Sequence, residues 1–180
     1  NKIQNFDKKI LVPFGEFLPF RKYLNFMEII SGSIDFKKGN TERIITTADN
    51  LKILPVICYE IVFDKIFKNI NKKEIDLLVN ITNDSWFGTK SGPYQHFYIS
   101  RIKALVANKP LLRVSNNGIS AIIDNDGKII KSSKLNKITQ IQHKFKINKN
   151  ESYLPMHKIF MLYLFSVFLF LIFYIKRKET

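Results

Sequence analysis

Cys58, the chain's only cysteine, sits where an apolar run meets a helical pattern. Leu51 to Phe63 reads LKILPVICYEIVF, and only Lys52 and Pro55 interrupt the approach to the thiol. From Glu60 onward the apolar residues Ile61, Val62, Phe63, Ile66, Phe67 and Ile70 recur at roughly helical spacing. The pattern predicts strand, sharp turn and helix, with the thiol on the turn. Such an elbow holds a nucleophile clear of a sheet and beside the positive end of a helix dipole, which favours a thiolate. The plain alternative is a buried cysteine used as a small hydrophobe. A thiol nucleophile also needs a base, an oxyanion donor and a shaped site. Lys8 stands just before one predicted strand and Cys58 just after another, so the two can meet at one edge of a sheet. A lysine there would stabilise both the thiolate and a tetrahedral intermediate. The backbone N–H of Tyr59 is a second candidate oxyanion donor. Glu16 and Glu60 are candidates to orient the lysine or relay protons.

The elements that must position these groups follow from pattern and punctuation. Ile10–Val12 reads as a short strand ending in Pro13-Phe14-Gly15-Glu16, a tight turn that presents Glu16 from a rigid loop. Arg21–Ile30 reads as helix, stopped by Ser31-Gly32-Ser33, and Glu42–Thr47 as strand. Pro55 predicts that the strand before Cys58 begins late or lies at an edge. A helix over Glu60–Ile70, a buried strand over Ile75–Ile81 and a polar loop tipped by Trp86 and Phe87 come next. A tryptophan is more often core than membrane-facing, so burial is the expectation for Trp86. Pro93 opens a helix that runs to about Lys109. Leu111–Val114 and Ile119–Ile123 are strands, Asp124-Asn125-Asp126-Gly127 is a hairpin turn before Lys128–Lys131, and Ile138–Ile147 alternates like a final half-buried strand. Strands alternate with helices early and pair as hairpins late, which predicts an α/β class with a mixed sheet.

At 180 residues one sizeable core is expected, spanning 1–150. The formal net charge of +14 raises nucleic acid or an anionic membrane as partners. No zinc-finger, RRM or helix-turn-helix signature supports nucleic acid. His96, His143 and His157 lack ligand spacing, so no metal site is indicated. Ile159–Ile175, IFMLYLFSVFLFLIFYI, carries no charge and predicts a transmembrane helix within 157–177. Lys176-Arg177-Lys178 behind it places the C-terminus in the cytoplasm and the globular part on the outer, periplasmic side of the inner membrane.

Several segments taken together carry a resemblance. KKILVPFGEFLP, PVICYEIVF, NITNDSWFGTKSGPYQH and RIKALVANKPLLRVSNNGISAIIDNDG closely resemble the nitrilase-like domain of bacterial apolipoprotein N-acyltransferases, over most of residues 6 to 130. The resemblance implies an αββα sandwich of the nitrilase superfamily, incomplete at its N-terminus and followed by one transmembrane helix. It implies a Glu-Lys-Cys triad in which Cys58 is the nucleophile and Lys8 the lysine. Glu16 matches the extra glutamate of the PFGE motif, and Tyr59 and Glu60 match residues that follow the nucleophile. The implied reaction moves a fatty acyl group from a phospholipid, through a Cys58 thioester, to the amine of a diacylglyceryl-cysteine lipoprotein. Neither metal nor cofactor is needed, and a monomer is expected.

One departure matters. The family's general-base glutamate lies well before the lysine, whereas here seven residues precede Lys8. The chain therefore reads as the C-terminal piece of a longer polypeptide or as the product of a split gene, with little turnover alone. Competing readings are an inactive remnant, a membrane-anchored nitrilase-type amidase, and a papain-like hydrolase pairing Cys58 with His96.

Overall fold

The computed structural model describes residues 5–32, 34–40, 43–68, 71–144, 161, 163–170 and 174. The chain divides into two units, Asn1–Lys149 and Asn150–Thr180. Unit one is built on a six-stranded sheet in sequential order. The strands are β1 (Ile45–Thr46), β2 (Lys52–Ile57), β3 (Leu77–Thr82), β4 (Leu111–Ser115), β5 (Ala121–Ile123) and β6 (Ile129–Ser132). β2, β3 and β4 are parallel, while β1 and the β5–β6 hairpin add antiparallel edges. This is the mixed α/β sheet that the alternation of patterns predicts.

Parallel neighbours require crossovers. The β2–β3 crossover carries a 3-10 turn, Cys58–Val62, and the short helix α2 (Asp64–Lys68, after α1 at Glu28–Ser31). The β3–β4 crossover carries α3 (Ser91–Ala107). Pro93 falls in the first turn of α3, where its missing N–H has no helical partner to lose. Asn108 ends the helix in the left-handed conformation at φ 52°, its N–H returning to Ala104 and Leu105. Leu54, Val56, Leu78, Leu111 and Ile123 join Phe97, Ala104 and Ala107 in one core, each large side chain contributing about 1.5–3 kcal/mol. The opposite face of the same strands is apolar but open. Pro55 pairs with Val79, which pairs in turn with Leu112, and Ile57 pairs with Ile81, which pairs with Val114. Ile81 is 61% exposed and Val114 56%.

Several expectations change. Pro55 lies inside β2, yet β1 reaches only Ile53, so the missing N–H falls beyond the end of the paired edge. Ile10–Val12 forms no strand; the segment is held by side-chain bonds to Glu60, described below. Arg21–Ile30 yields a 3-10 turn at Asn25–Met27 and the single-turn α1. Of the strand expected over Glu42–Thr47, Ile45 and Thr46 alone pair among the described residues, and residue 42 lies outside them. The helix expected over Glu60–Ile70 breaks at Phe63, whose ψ of 118° is extended. Residues 138–144 form no strand although the sequence alternates there, and residues 145–147 of the strand expected over Ile138–Ile147 lie outside the described residues. Trp86 is 83% exposed at the tip of its loop, not core.

In unit two, residues 163–170 are helical and exposed. No described helix is long and apolar enough to cross a membrane. Residues 159, 160, 162, 171–173 and 175 of the predicted span lie outside the described residues.

Candidate active site

Cys58 follows the last residue of β2 and adopts φ 52°, a left-handed conformation rare for a residue with a side chain. The predicted sharp turn is therefore present, although a 3-10 turn rather than an α-helix follows it. Asn80 of β3 holds this turn from below, donating from Nδ2 to the carbonyls of Val56 at 2.9 Å and Cys58 at 3.2 Å. The sulfur is partly exposed. It lies 3.5 Å from Thr82 Oγ1 and 3.8 Å from the Asn83 carbonyl. The thiol thus stands at the C-terminal ends of adjacent parallel strands, the usual side for binding in open α/β sheets.

Glu60 ties this turn to the N-terminal segment. Its fully buried carboxylate accepts Ile57 N–H at 2.9 Å through Oε2, the reach-back of a capping box. Oε1 accepts the N–H groups of Lys9 and Ile10, both at 2.8 Å, and Arg43 Nη2 at 3.4 Å. The residues beside Lys8 are thus fastened to the residues beside Cys58. Lys8 Nζ in turn pairs with Glu16 Oε1 at 2.5 Å, and Glu16 Oε2 accepts Val12 N–H at 2.8 Å. Phe14, at φ 64°, makes the tight turn that brings Glu16 back, and Gly15 and Glu16 both donate to the Val12 carbonyl. Lys8 and Glu16 line a cavity of about 510 Å³ with Asp7, Leu11, Phe36 and Lys37 to Asn40. Tyr59 stacks on His96 and Phe87, with centroids 5.5 and 5.9 Å away.

Beneath the thiol lies a buried polar cage that pattern reading does not single out. Asp84 is fully buried and accepts four side-chain bonds. Oδ1 takes Thr82 Oγ1 at 3.1 Å and His96 Nδ1 at 2.8 Å; Oδ2 takes Arg113 Nη2 at 2.7 Å and Ser115 Oγ at 2.9 Å. Burial pushes the Asp84 carboxyl upward, but the His96 hydrogen bond, the Arg113 charge and the Ser115 hydroxyl outweigh it and bring it down to about 2. Arg113 also donates to Ser100 Oγ, the Ile119 carbonyl and Asn80 Oδ1. Burial lowers the Arg113 pKa, opposed by the charges of Asp84 and, more weakly, Cys58. A Cβ on Gly118 would stand 1.8 Å from Asp84 Oδ2, so only glycine leaves room for that carboxylate. One signal of the cage is legible in retrospect: Asn80 and Arg113 interrupt the apolar runs of β3 and β4 at buried-face positions, in register with each other.

His96 belongs to this cage, so the sulfur's hydrogen-bond partners are Thr82 and Asn83 rather than an imidazole. Nε2 of His96 is buried without a hydrogen-bond partner among the described residues. Among the described residues no group of three or more His, Cys, Asp or Glu side chains could hold a metal ion.

Comparisons bear on the whole unit. The carbon-nitrogen hydrolase family profile matches residues 3–149. The apolipoprotein N-acyltransferase of Rickettsia typhi is 48% identical over 142 residues, 79% of this chain and 28% of that one. That of Brucella melitensis is 37% identical over 153 residues, 83% and 27% of the respective chains. The chain spans little more than a quarter of the length of these relatives. Among solved structures, a glutamine-dependent NAD+ synthetase from Acinetobacter baumannii aligns with TM-score 0.54 and 18% identity, over 73% of this chain and 24% of that one. A CN-hydrolase superfamily protein from Xanthomonas campestris aligns with TM-score 0.51 and 18% identity, over 74% and 49%. At such identity these structures speak for the fold alone.

Proposed function

Because the chain belongs to the carbon-nitrogen hydrolase family, we propose that it carries the nucleophile half of an acyltransferase site, with Cys58 attacking a phospholipid ester. The Cys58 sulfur bonds to the acyl carbon, the bond between that carbon and the glycerol oxygen breaks, and the thiol proton goes to the leaving oxygen. The α-amine of a diacylglyceryl-cysteine lipoprotein then attacks the thioester, releasing the sulfur, which recovers a proton. Lys8 stabilises the oxyanion, Glu16 orients Lys8, and Glu60 holds the two segments together. The Tyr59 N–H is a second oxyanion donor. The observation that carries this reading is the fastening of Lys8 to the Cys58 turn through Glu60. Acyl transfer is favoured over amide hydrolysis by the names of relatives at 37–48% identity.

Glu16 is engaged by Lys8 and Val12, and Glu60 by three backbone N–H groups, so neither is free to act as the general base. This reading leaves the base to a group other than Glu16 and Glu60, and little or no turnover is expected of residues 1–180 by themselves. The open apolar face around Ile81 and Val114 is where the second sheet of an αββα sandwich would pack. The 159–175 stretch is the membrane anchor, with the catalytic unit on the periplasmic side of the inner membrane and the C-terminus in the cytoplasm.

The test uses the native Cys58-containing polypeptide extracted from its membrane and given a phospholipid with a tagged acyl chain. The expected result is a hydroxylamine-labile tag on Cys58 that Lys8→Ala and Cys58→Ala both lack, and its transfer to a diacylglyceryl-cysteine peptide. Ammonia release from small amides without phospholipid would instead establish an amidase.

A further inference from the structure

We propose that Thr82 is a catalytic hydrogen-bond donor to Cys58, a hydroxyl that swings between the buried Asp84 carboxylate and the sulfur. The inference rests on Cys58 being the nucleophile. Thr82 stands at the C-terminal end of β3, and its Oγ1 lies 3.1 Å from Asp84 Oδ1 and 3.5 Å from Cys58 Sγ. A hydroxyl has one proton to give, so these two acceptors compete for it. While the sulfur is a thiol, its own proton faces the Asn83 carbonyl at 3.8 Å, and the charged carboxylate is the stronger acceptor for Thr82. Once the sulfur is a thiolate, the hydroxyl turns to it.

Asp84 can release this proton without being left short. His96 Nδ1, Arg113 Nη2 and Ser115 Oγ still donate to it, at 2.8, 2.7 and 2.9 Å. The surrounding bonds also prevent the carboxylate from following the hydroxyl, because Arg113 is anchored to Ser100 and the Ile119 carbonyl. Asp84, His96 and Arg113 are thus positioning residues that hold Thr82 within reach of the sulfur, while Asn80 fixes the Cys58 carbonyl. No proton leaves Thr82 at any stage. Thioester formation removes the negative charge from sulfur, and the hydroxyl returns to Asp84.

The test is alkylation of the single cysteine of the whole chain by iodoacetamide, followed by intact mass at pH 7 and pH 10, in the wild type, Thr82→Val and Thr82→Ser. Losing a hydrogen bond to a charged acceptor makes the thiolate about tenfold scarcer at pH 7, but the thiolate that remains is more nucleophilic. With a Brønsted slope near one half, Thr82→Val reacts about threefold more slowly at pH 7 and about threefold faster at pH 10. Thr82→Ser, which keeps the hydroxyl, follows the wild type at both. Equal slowing of Thr82→Val at both pH values, or no change at either, overturns the inference. Circular dichroism melts of the two variants separate loss of fold from loss of the donor. The assay needs no acyl transfer. A crossover in alkylation without any thioester in the phospholipid experiment would therefore sink the proposed function, and with it the catalytic role, while leaving Thr82 as a hydrogen-bond donor to the Cys58 thiolate.

Discussion

Replacing Gly118 with alanine should unseat the buried Asp84 carboxylate. The added methyl would lie 1.8 Å from Asp84 Oδ2, 2.6 Å from its Cγ and 2.5 Å from Ser115 Oγ. No rotamer change of a distant flexible group relieves this, because the obstructing atoms are the ones Arg113 and Ser115 bind at 2.7 and 2.9 Å. Breaking a buried charge pair costs about 3–5 kcal/mol, because an uncompensated charge stays inside. At about 3 kcal/mol, Gly118→Ala should lower Tm by roughly 6–12 °C in a domain of this size. Urea unfolding of the variant gives the free energy directly. The mechanism is isolated by repeating the substitution in an Asp84→Ala, Arg113→Met, Ser115→Ala background, which removes both charges and the Ser115 hydroxyl together. There the methyl has space, and Gly118→Ala should cost less than about 0.5 kcal/mol or even stabilise through the unfolded state. An equal cost in both backgrounds, or a loss below about 1 kcal/mol in the wild type, would refute the steric reasoning.

Acid should weaken the same cage. The Asp84 carboxyl lies at about 2, below its ordinary value near 3.9, so its contribution is fully present above about pH 4 and is lost as pH falls toward 2. The shift corresponds to about 2.5 kcal/mol, and urea unfolding between pH 5 and 2 should show that loss in the wild type and not in Asp84→Asn. Glu60→Gln keeps one acceptor oxygen for three backbone N–H groups, so a loss of about 1.5–3 kcal/mol is expected. Amide exchange at Lys9 and Ile10 should then quicken ahead of exchange in the β3 core; unchanged exchange there would separate Glu60 from the anchoring of Lys8.

The elbow was legible because its signals are local: an apolar approach, a lone thiol, then helical spacing within a dozen residues. The turn before Glu16 was legible for the same reason, since proline and glycine flanking Phe14 restrict the backbone directly. The cage was not. Its members come from β3, α3, β4 and the loop after each strand, and an arginine among leucines reads from sequence as a surface residue. Only the β3–β4 register brings Arg113 beside Asn80, and only α3 brings His96 and Ser100 over them. Trp86 was misread for a related reason, since a tryptophan at a loop tip is buried only if another layer covers it. Residues 138–144 show the limit of periodicity, because alternation fits a half-buried strand without supplying the backbone partner that makes one.

A buried arginine–aspartate pair is weak evidence for stability, because well-packed apolar residues of the same volume often do as well or better. β4 could have placed leucine at position 113 and continued the core already made by Leu111 and Ile123. Instead the fold commits Asn80, Ser100, Ser115, His96 and the side-chain-free Gly118 to satisfying Asp84 and Arg113. What this arrangement gains over a hydrophobic one is a fixed set of donors that holds the Asp84 carboxylate one hydroxyl, that of Thr82, away from Cys58. The same sheet face keeps Asn80 on the carbonyls of Val56 and Cys58, holding the left-handed turn that an unsupported side chain would leave. Polar groups buried at that cost, converging on the end of β2, are better explained by the chemistry of the sulfur than by the stability of the sheet.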